Sequence, residues 1–305
     1  MNYTYAREVF ESYLDGKILP DETRTPHKNM SCGTHSGNPP TDPVCNLKGI
    51  PRGIPSGYDR NDDKIRLKIV HTYGVVGQAA AIARRMRLSD EDMELAKLIA
   101  LLHDLGRFEQ LRRFDSFEPD TMDHAAYGVQ VLFEERLIRR FVKEETWDSI
   151  IRAAIAKHSD YRLSGISDPR TLLHAKLIRD ADKLDNCRVK LADSIQTILG
   201  ASAQEIGEQE ISPAIYETVF RNECIQSADR ITKMDYWVSY IAYFFDINFR
   251  ESMDMIIEND YISRIIRRIP YSNGKTAEQM KKIEAYVTQY ARNMANSKPP
   301  QHSPN

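Results

Sequence analysis

The stretch Leu101-Leu102-His103-Asp104-Leu105-Gly106-Arg107 decides how this chain reads, because a histidine and an aspartate sit side by side at the end of an apolar run. Upstream, Ser89-Asp90-Glu91-Asp92 resembles a capping box. Leu95, Leu98, Ile99 and Leu102 then recur at helical spacing. Gly106 is a natural helix end. His103 and Asp104 are therefore expected on the last turn of a buried helix. Adjacent helical residues differ by about 100° in direction, so the two side chains can fan around one point beside the axis.

Further out lie more side chains of the same kind. His71 precedes the pair, and His124, His158 and Asp182 follow it, each in or at the end of a stretch that reads as helix. Four of the eight histidines belong to this set. Imidazole with carboxylate suits a first-row transition metal, and the two oxygens of Asp104 suffice to bridge a pair of ions. Helical bundles build such sites from side chains on facing helices, and two close metals make a clamp for phosphoryl hydrolysis. The competing reading is of scattered histidines satisfied by hydrogen bonds in the core.

Nearly every periodic segment is helical. A short amphipathic helix is expected over 5–14, and a longer one from about Asp62 to Met86. Asp123 is placed to cap a helix that starts at His124 and runs through Val131 and Phe133. Glu145 to His158 forms another, with Trp147, Ile150, Ile151, Ala154 and Ile155 facing inward. Asp168-Pro169 opens a long helix through Asp182 to Leu191. Three more helices are expected between Ser212 and about Asn296. The aromatic run at 236–245 suits either core or a dimer surface, so homo-oligomerisation is left open. Repeated Pro and Gly over 22–60 punctuate the backbone too often for a helix or strand. That segment contains His27, Cys32, His35 and Cys45, which offer a structural zinc site or merely line a flexible loop. Residues 296–305 are polar and read as a disordered tail.

The motif around His103-Asp104, the outlying His71, His124 and His158, and Arg179-Asp180-Ala181-Asp182-Lys183-Leu184-Asp185 together resemble the HD-domain metal-dependent phosphohydrolase superfamily. The resemblance covers roughly residues 60–195. Residues after 195, including Phe245-Asp246-Ile247-Asn248-Phe249, resemble the helical tail of bacterial HD-domain proteins. It implies an all-α HD bundle with a C-terminal helical extension. The chain then divides into an N-terminal helix (1–21), the Pro/Gly-rich insertion (22–60), the metal-binding HD domain (61–195), the extension packed on it (196–295) and the tail (296–305). By resemblance, His71, His103, Asp104 and Asp182 fall on the core metal ligands, and His124 and His158 on the additional histidines of di-metal subgroups. Asp185 is placed to support the ligands from one turn on, whereas Asp180 points elsewhere and reads as a surface or salt-bridging residue.

The implied reaction is hydrolysis of a phosphomonoester or phosphodiester, of nucleotide type, by a water acidified by two divalent transition metals. Manganese or iron suits the ligand set, as do cobalt and nickel; magnesium suits it less. Asp104 and Asp182 would hold the metals and accept a proton. Arg107 and Lys183 are candidates for clamping phosphoryl oxygens, with Arg112, Arg113 and Arg188 weaker ones. Phe108, Phe114, Phe117 and Tyr161 offer base stacking or, more simply, packing. His174 reads as packing. Two rival readings remain: a mixed-valent di-iron oxygenase of the same superfamily, such as myo-inositol oxygenase, and a non-catalytic ligand-sensing scaffold. The Gly-Tyr-Pro element of cyclic-dinucleotide phosphodiesterases is missing after His158, where Ser159-Asp160-Tyr161 stands.

Composition narrows the partners. The 305 residues are 41% hydrophobic and 28% charged, enough for a sizeable core. A net charge of −2 gives no footprint for a nucleic-acid duplex or an acidic membrane. The N-terminal residues lack a signal-peptide core, and four irregularly spaced cysteines make no disulfide framework. The expectation is a cytoplasmic, reduced protein acting on a small phosphorylated molecule.

Overall fold

Helix starts in this chain are written locally, by short polar side chains that accept the free N–H groups of a first turn. Asp62 accepts from Ile65 N, Ser89 from Asp92 N, Asp123 from Ala126 N and Asp168 from Thr171 N. The computed structural model describes residues 1–18, 57–118 and 120–296. Among them there is no strand, and no helix is long and apolar enough to cross a membrane. The elements that build the site are α1 (Tyr3–Leu14), α2 (Asp63–Arg85), α3 (Asp90–Leu102), α4 (Leu105–Phe114), α5 (His124–Val129), α6 (Ile138–Phe141), α7 (Asp148–Ala156) and α8 (Pro169–Ala192). After them come α9 (Ile195–Leu199), α10 (Ala203–Gly207), α11 (Pro213–Val219), α12 (Lys233–Ala242), α13 (Arg250–Glu258), α14 (Tyr261–Ile266) and α15 (Gly274–Asn296).

α2 packs along both α3 and α8, and α8 also packs on α7. The apolar stripe of α3 is the centre of this arrangement: Leu95, Leu98, Leu101 and Leu102 are fully buried. Each such side chain contributes about 1.5–3 kcal/mol relative to exposure. α13 and α14 pack on α8 from the other side, so the C-terminal helices share the core. Trp237, Val238, Ile241 and Phe244 are buried, which makes the aromatic run at 236–245 core.

Four expectations need correcting. Gly106 does not end the helix that carries His103-Asp104. α3 stops at Leu102, the backbone turns at Asp104 (φ −105°, ψ 19°), and Gly106 lies inside α4. Its glycine is needed for close approach, because a Cβ there would sit 2.1 Å from the His124 carbonyl oxygen. The helix from His124 is α only to Val129 and continues as π-helix over Gln130–Glu134. The helix expected over Glu145 to His158 spans Asp148–Ala156. Beyond Ser212 there are five α-helices among the described residues instead of three. The extra breaks are made by tertiary bonds and a left-handed residue: Asp180 takes the N–H groups of Asn248 and Phe249, and Asp260 (φ 50°) separates α13 from α14. The segment with His27, Cys32, His35 and Cys45, and the tail at 297–305, lie outside the described residues.

Candidate metal centre

Close helix packing brings the candidate ligands together. α2 carries Lys68 and His71 one turn apart on one buried face, and Gly74 a further turn on. A Cβ on Gly74 would lie 1.9 Å from Asp185 Oδ1, so glycine lets α8 press its acidic face against α2. Gly106 does the same for α4 and α5, setting His124 beside Asp104. His158 follows the end of α7 and is fixed there by Arg179 of α8, whose Nη1 donates to the carbonyls of Lys157, His158 and Asp160.

Asp104 is the hub. Its Oδ2 faces His103 Nε2 at 3.4 Å and His71 Nε2 at 3.9 Å. Its Oδ1 faces His124 Nε2 at 3.3 Å and His158 Nε2 at 3.7 Å. Asp182 closes the first group, with Oδ1 3.0 Å from His71 Nε2 and 4.0 Å from His103 Nε2. The Nε2 atoms of His124 and His158 are only 3.1 Å apart. All four histidines and Asp104 are buried.

The other ring nitrogen of three histidines is already committed. His103 Nδ1 donates to Ala100 O at 2.8 Å, and His158 Nδ1 to Ile155 O at 2.7 Å. His71 Nδ1 lies 2.7 Å from Asp185 Oδ2, and Asp185 in turn receives Arg188. Such partners orient the rings so that Nε2 of each points inward, the nitrogen that a metal-bound histidine of this kind presents. His103 Nε2 is fully buried and has no hydrogen-bond partner. An orphaned buried acceptor inside a ring of carboxylates and imidazoles is what a divalent cation satisfies. Two triads fit one: His71, His103 and Asp104, and Asp104, His124 and His158.

The charges of the centre act on one another: burial lowers the His103 pKa, but Asp104 and Asp182 outweigh it and raise the group above the ordinary histidine value. Burial pushes the Asp104 pKa up, but Lys68 and His103 outweigh it and hold the group well below the usual carboxylate range. Asp182 is lowered too, its burial being overcome by the hydrogen bond and charge of His71. Burial and the neighbouring Arg107 keep His124 well below the ordinary histidine value, hence neutral.

The remaining candidates are placed as follows. Arg107 enters the centre: Nη2 is 3.1 Å from His124 Nε2 and Nε is 3.9 Å from Asp104 Oδ1. Lys183 instead faces the C-terminal helices, 2.7 Å from Asp246 Oδ2, and touches none of the six ligands. Arg112 and Arg113 pair with Glu109, and Arg188 with Asp185. Phe108 is core, while Phe114 and Tyr161 are exposed. His174 bonds Asp92, away from the centre. Asp180 is a correction: it is fully buried, not at the surface, and binds Asn248 and Phe249. The sequence reading missed Lys68, whose ammonium contacts Asp104 Oδ2 directly, and Asn186, which donates to Asp182 Oδ1 at 2.9 Å. Their signal was positional: Lys68 stands three residues before His71, and Asn186 four after Asp182.

Residues 69–187 match the family model of the HD domain, a span that contains all six candidate ligands. No curated protein and no solved structure matches the chain.

Proposed function

We propose that this protein is a metal-dependent phosphohydrolase that cleaves a phosphomonoester or phosphodiester of a small substrate, nucleotides foremost. One observation carries the reading: each carboxylate oxygen of Asp104 faces its own pair of imidazole Nε2 atoms. A pair of divalent ions held there, manganese or iron by ligand type, supplies an acidified water and a positive clamp for a phosphoryl group.

The chain's own residues do the rest. His71, His103 and Asp182 hold one side of Asp104, and His124 and His158 the other. Asp104 and Asp182 are held ionised, as ligands to a cation would be. Arg107 is already anchored by Gln110 and the Phe117 carbonyl, so its fork is oriented before a phosphoryl oxygen arrives. Lys68 adds a second fixed cation beside Asp104. Lys183 is paired with Asp246 and faces the C-terminal helices, so this reading gives it no phosphoryl contact. Burial keeps bulk water out and strengthens each of these interactions.

The test is phosphate release from a panel of nucleotides and a generic phosphodiester, with manganese supplied, oxygen excluded and Asp104→Ala run in parallel. Release by the wild type alone is expected, with helix content unchanged in the variant. No release by the wild type, together with iron in the purified protein, would replace this reading with a di-iron oxygenase.

A further inference from the structure

Arg107 and Gln110 lie one turn apart on α4, and Gln110 is fully buried. Gln110 Oε1 accepts from Arg107 Nη1, while its Nε2 donates to Glu118 O at 2.8 Å and to Thr121 Oγ1 at 2.7 Å. Thr121 gives its own proton to Glu118 O at 2.7 Å, which leaves that hydroxyl as an acceptor for Gln110. Only one orientation of the amide fits these partners. Turned over, its carbonyl would meet the Glu118 carbonyl and its N–H groups would meet the guanidinium, acceptor against acceptor and donor against donor. A buried network satisfied at every member holds its side chains rigidly.

The consequence falls on the two ends of the Arg107 fork. Nη1 has two oxygen acceptors, Gln110 Oε1 and, at 3.2 Å, Phe117 O. Among the described residues Nη2 has no oxygen acceptor, and its contact is His124 Nε2 at 3.1 Å. That imidazole nitrogen is a candidate ligand atom. A cation held by His124 uses the same lone pair, and the Nη2 N–H groups then need an oxygen. A phosphoryl oxygen suits a guanidinium held in this way.

We propose that Gln110 is a positioning residue: it ties down Arg107 by Nη1, so that Nη2 is the nitrogen offered to a phosphoryl oxygen of the substrate, and Glu118 and Thr121 set the Gln110 amide in the sense this requires. The ligand class rests on the phosphohydrolase reading. Gln110 touches neither substrate nor metal and acts only through Arg107.

Inorganic phosphate is the probe, titrated by calorimetry into the manganese-loaded wild type, Gln110→Met, Arg107→Met and the double variant. Gln110→Met keeps the length of the side chain and removes its acceptor and donors. It should weaken phosphate about tenfold, the order of one charge-assisted hydrogen bond. Manganese affinity and stoichiometry should stay the same. In the Arg107→Met background the Gln110 change should have no further effect, as for two residues that act through one contact. Thr121→Val leaves Arg107 and Gln110 in place and should give a smaller loss, about threefold; it carries the test should Gln110→Met not fold. Phosphate held equally by the wild type and a folded variant would overturn the proposal. So would an undiminished Gln110 effect without Arg107, or a parallel loss of manganese, which would make Gln110 a support of the centre as a whole. No phosphate binding by the wild type would sink the proposal and the phosphohydrolase reading together. Phosphate bound through Gln110 and Arg107, with no hydrolysis of any phosphoester, would uphold the positioning role and sink the hydrolase reading alone.

Discussion

The two sides of Asp104 are built differently. On the Oδ2 side, His71 and His103 are joined by Asp182, and His71 is backed by Asp185 and Arg188. On the Oδ1 side, His124 and His158 share only the Asp104 carboxylate, and Arg107 stands against them. Each side has a fixed cation beside it, Lys68 against Oδ2 and Arg107 near Oδ1, so the difference lies in the carboxylates: the first side offers a cation two, the second only one. Affinity for a divalent ion follows ligand charge as well as ligand count. On the two-ion reading proposed above, one shared aspartate would serve two unequal positions, one tight and one open to exchange.

The sharpest way to break that inequality is to remove a histidine from each side. His71→Ala should abolish tight manganese binding. His124→Ala should keep one tightly held ion and lose only the weaker one. Titration calorimetry with metal analysis reads both stoichiometries. If the two variants lose manganese equally, the sides are equivalent and the asymmetry argument fails.

A smaller effect is expected from Asp185→Asn, which leaves every ligand in place but removes the charge behind His71. Loss of such a backing carboxylate typically costs about 10–100-fold in metal affinity. The loss should fall on the tighter of the two manganese binding events. A loss confined to the weaker one would reverse the assignment of the two sides.

Much of this architecture was legible in the sequence, and the reason is locality. Asp62, Ser89, Asp123 and Asp168 cap the helices they precede, within three residues. His103 and Asp104 announce themselves because neither belongs in an apolar run without a partner. What escaped was set by contacts between distant segments. Lys68 looks like any surface lysine until the fold buries it against Asp104. Gly106 looks like a helix end, yet its missing Cβ makes room for the His124 carbonyl. Asp180 looks like one more charge on a helix, and only the return of the chain 68 residues later supplies the N–H groups that it binds. Spacing along the chain carries no record of such partners.

The smallest effect belongs to the link between the C-terminal helices and the open side of the centre. Arg179 binds the three carbonyls that end α7 around His158, and Asp246 holds its other nitrogen at 2.6 Å. Asp246 thus acts on His158 only through Arg179, one step further from a metal than Asp185 is from its own. Asp246→Asn keeps an acceptor for Arg179 and Lys183 but removes the charge that pairs with both. Its effect should therefore stay below about tenfold, the lower bound for direct partners of a ligand. It should fall on the weaker manganese event, the one carried by His124 and His158, and leave the tighter event unchanged. A loss on the tighter side, or on both equally, would mean that Asp246 supports the core as a whole. In that case the C-terminal helices would not govern the open half of the centre through His158.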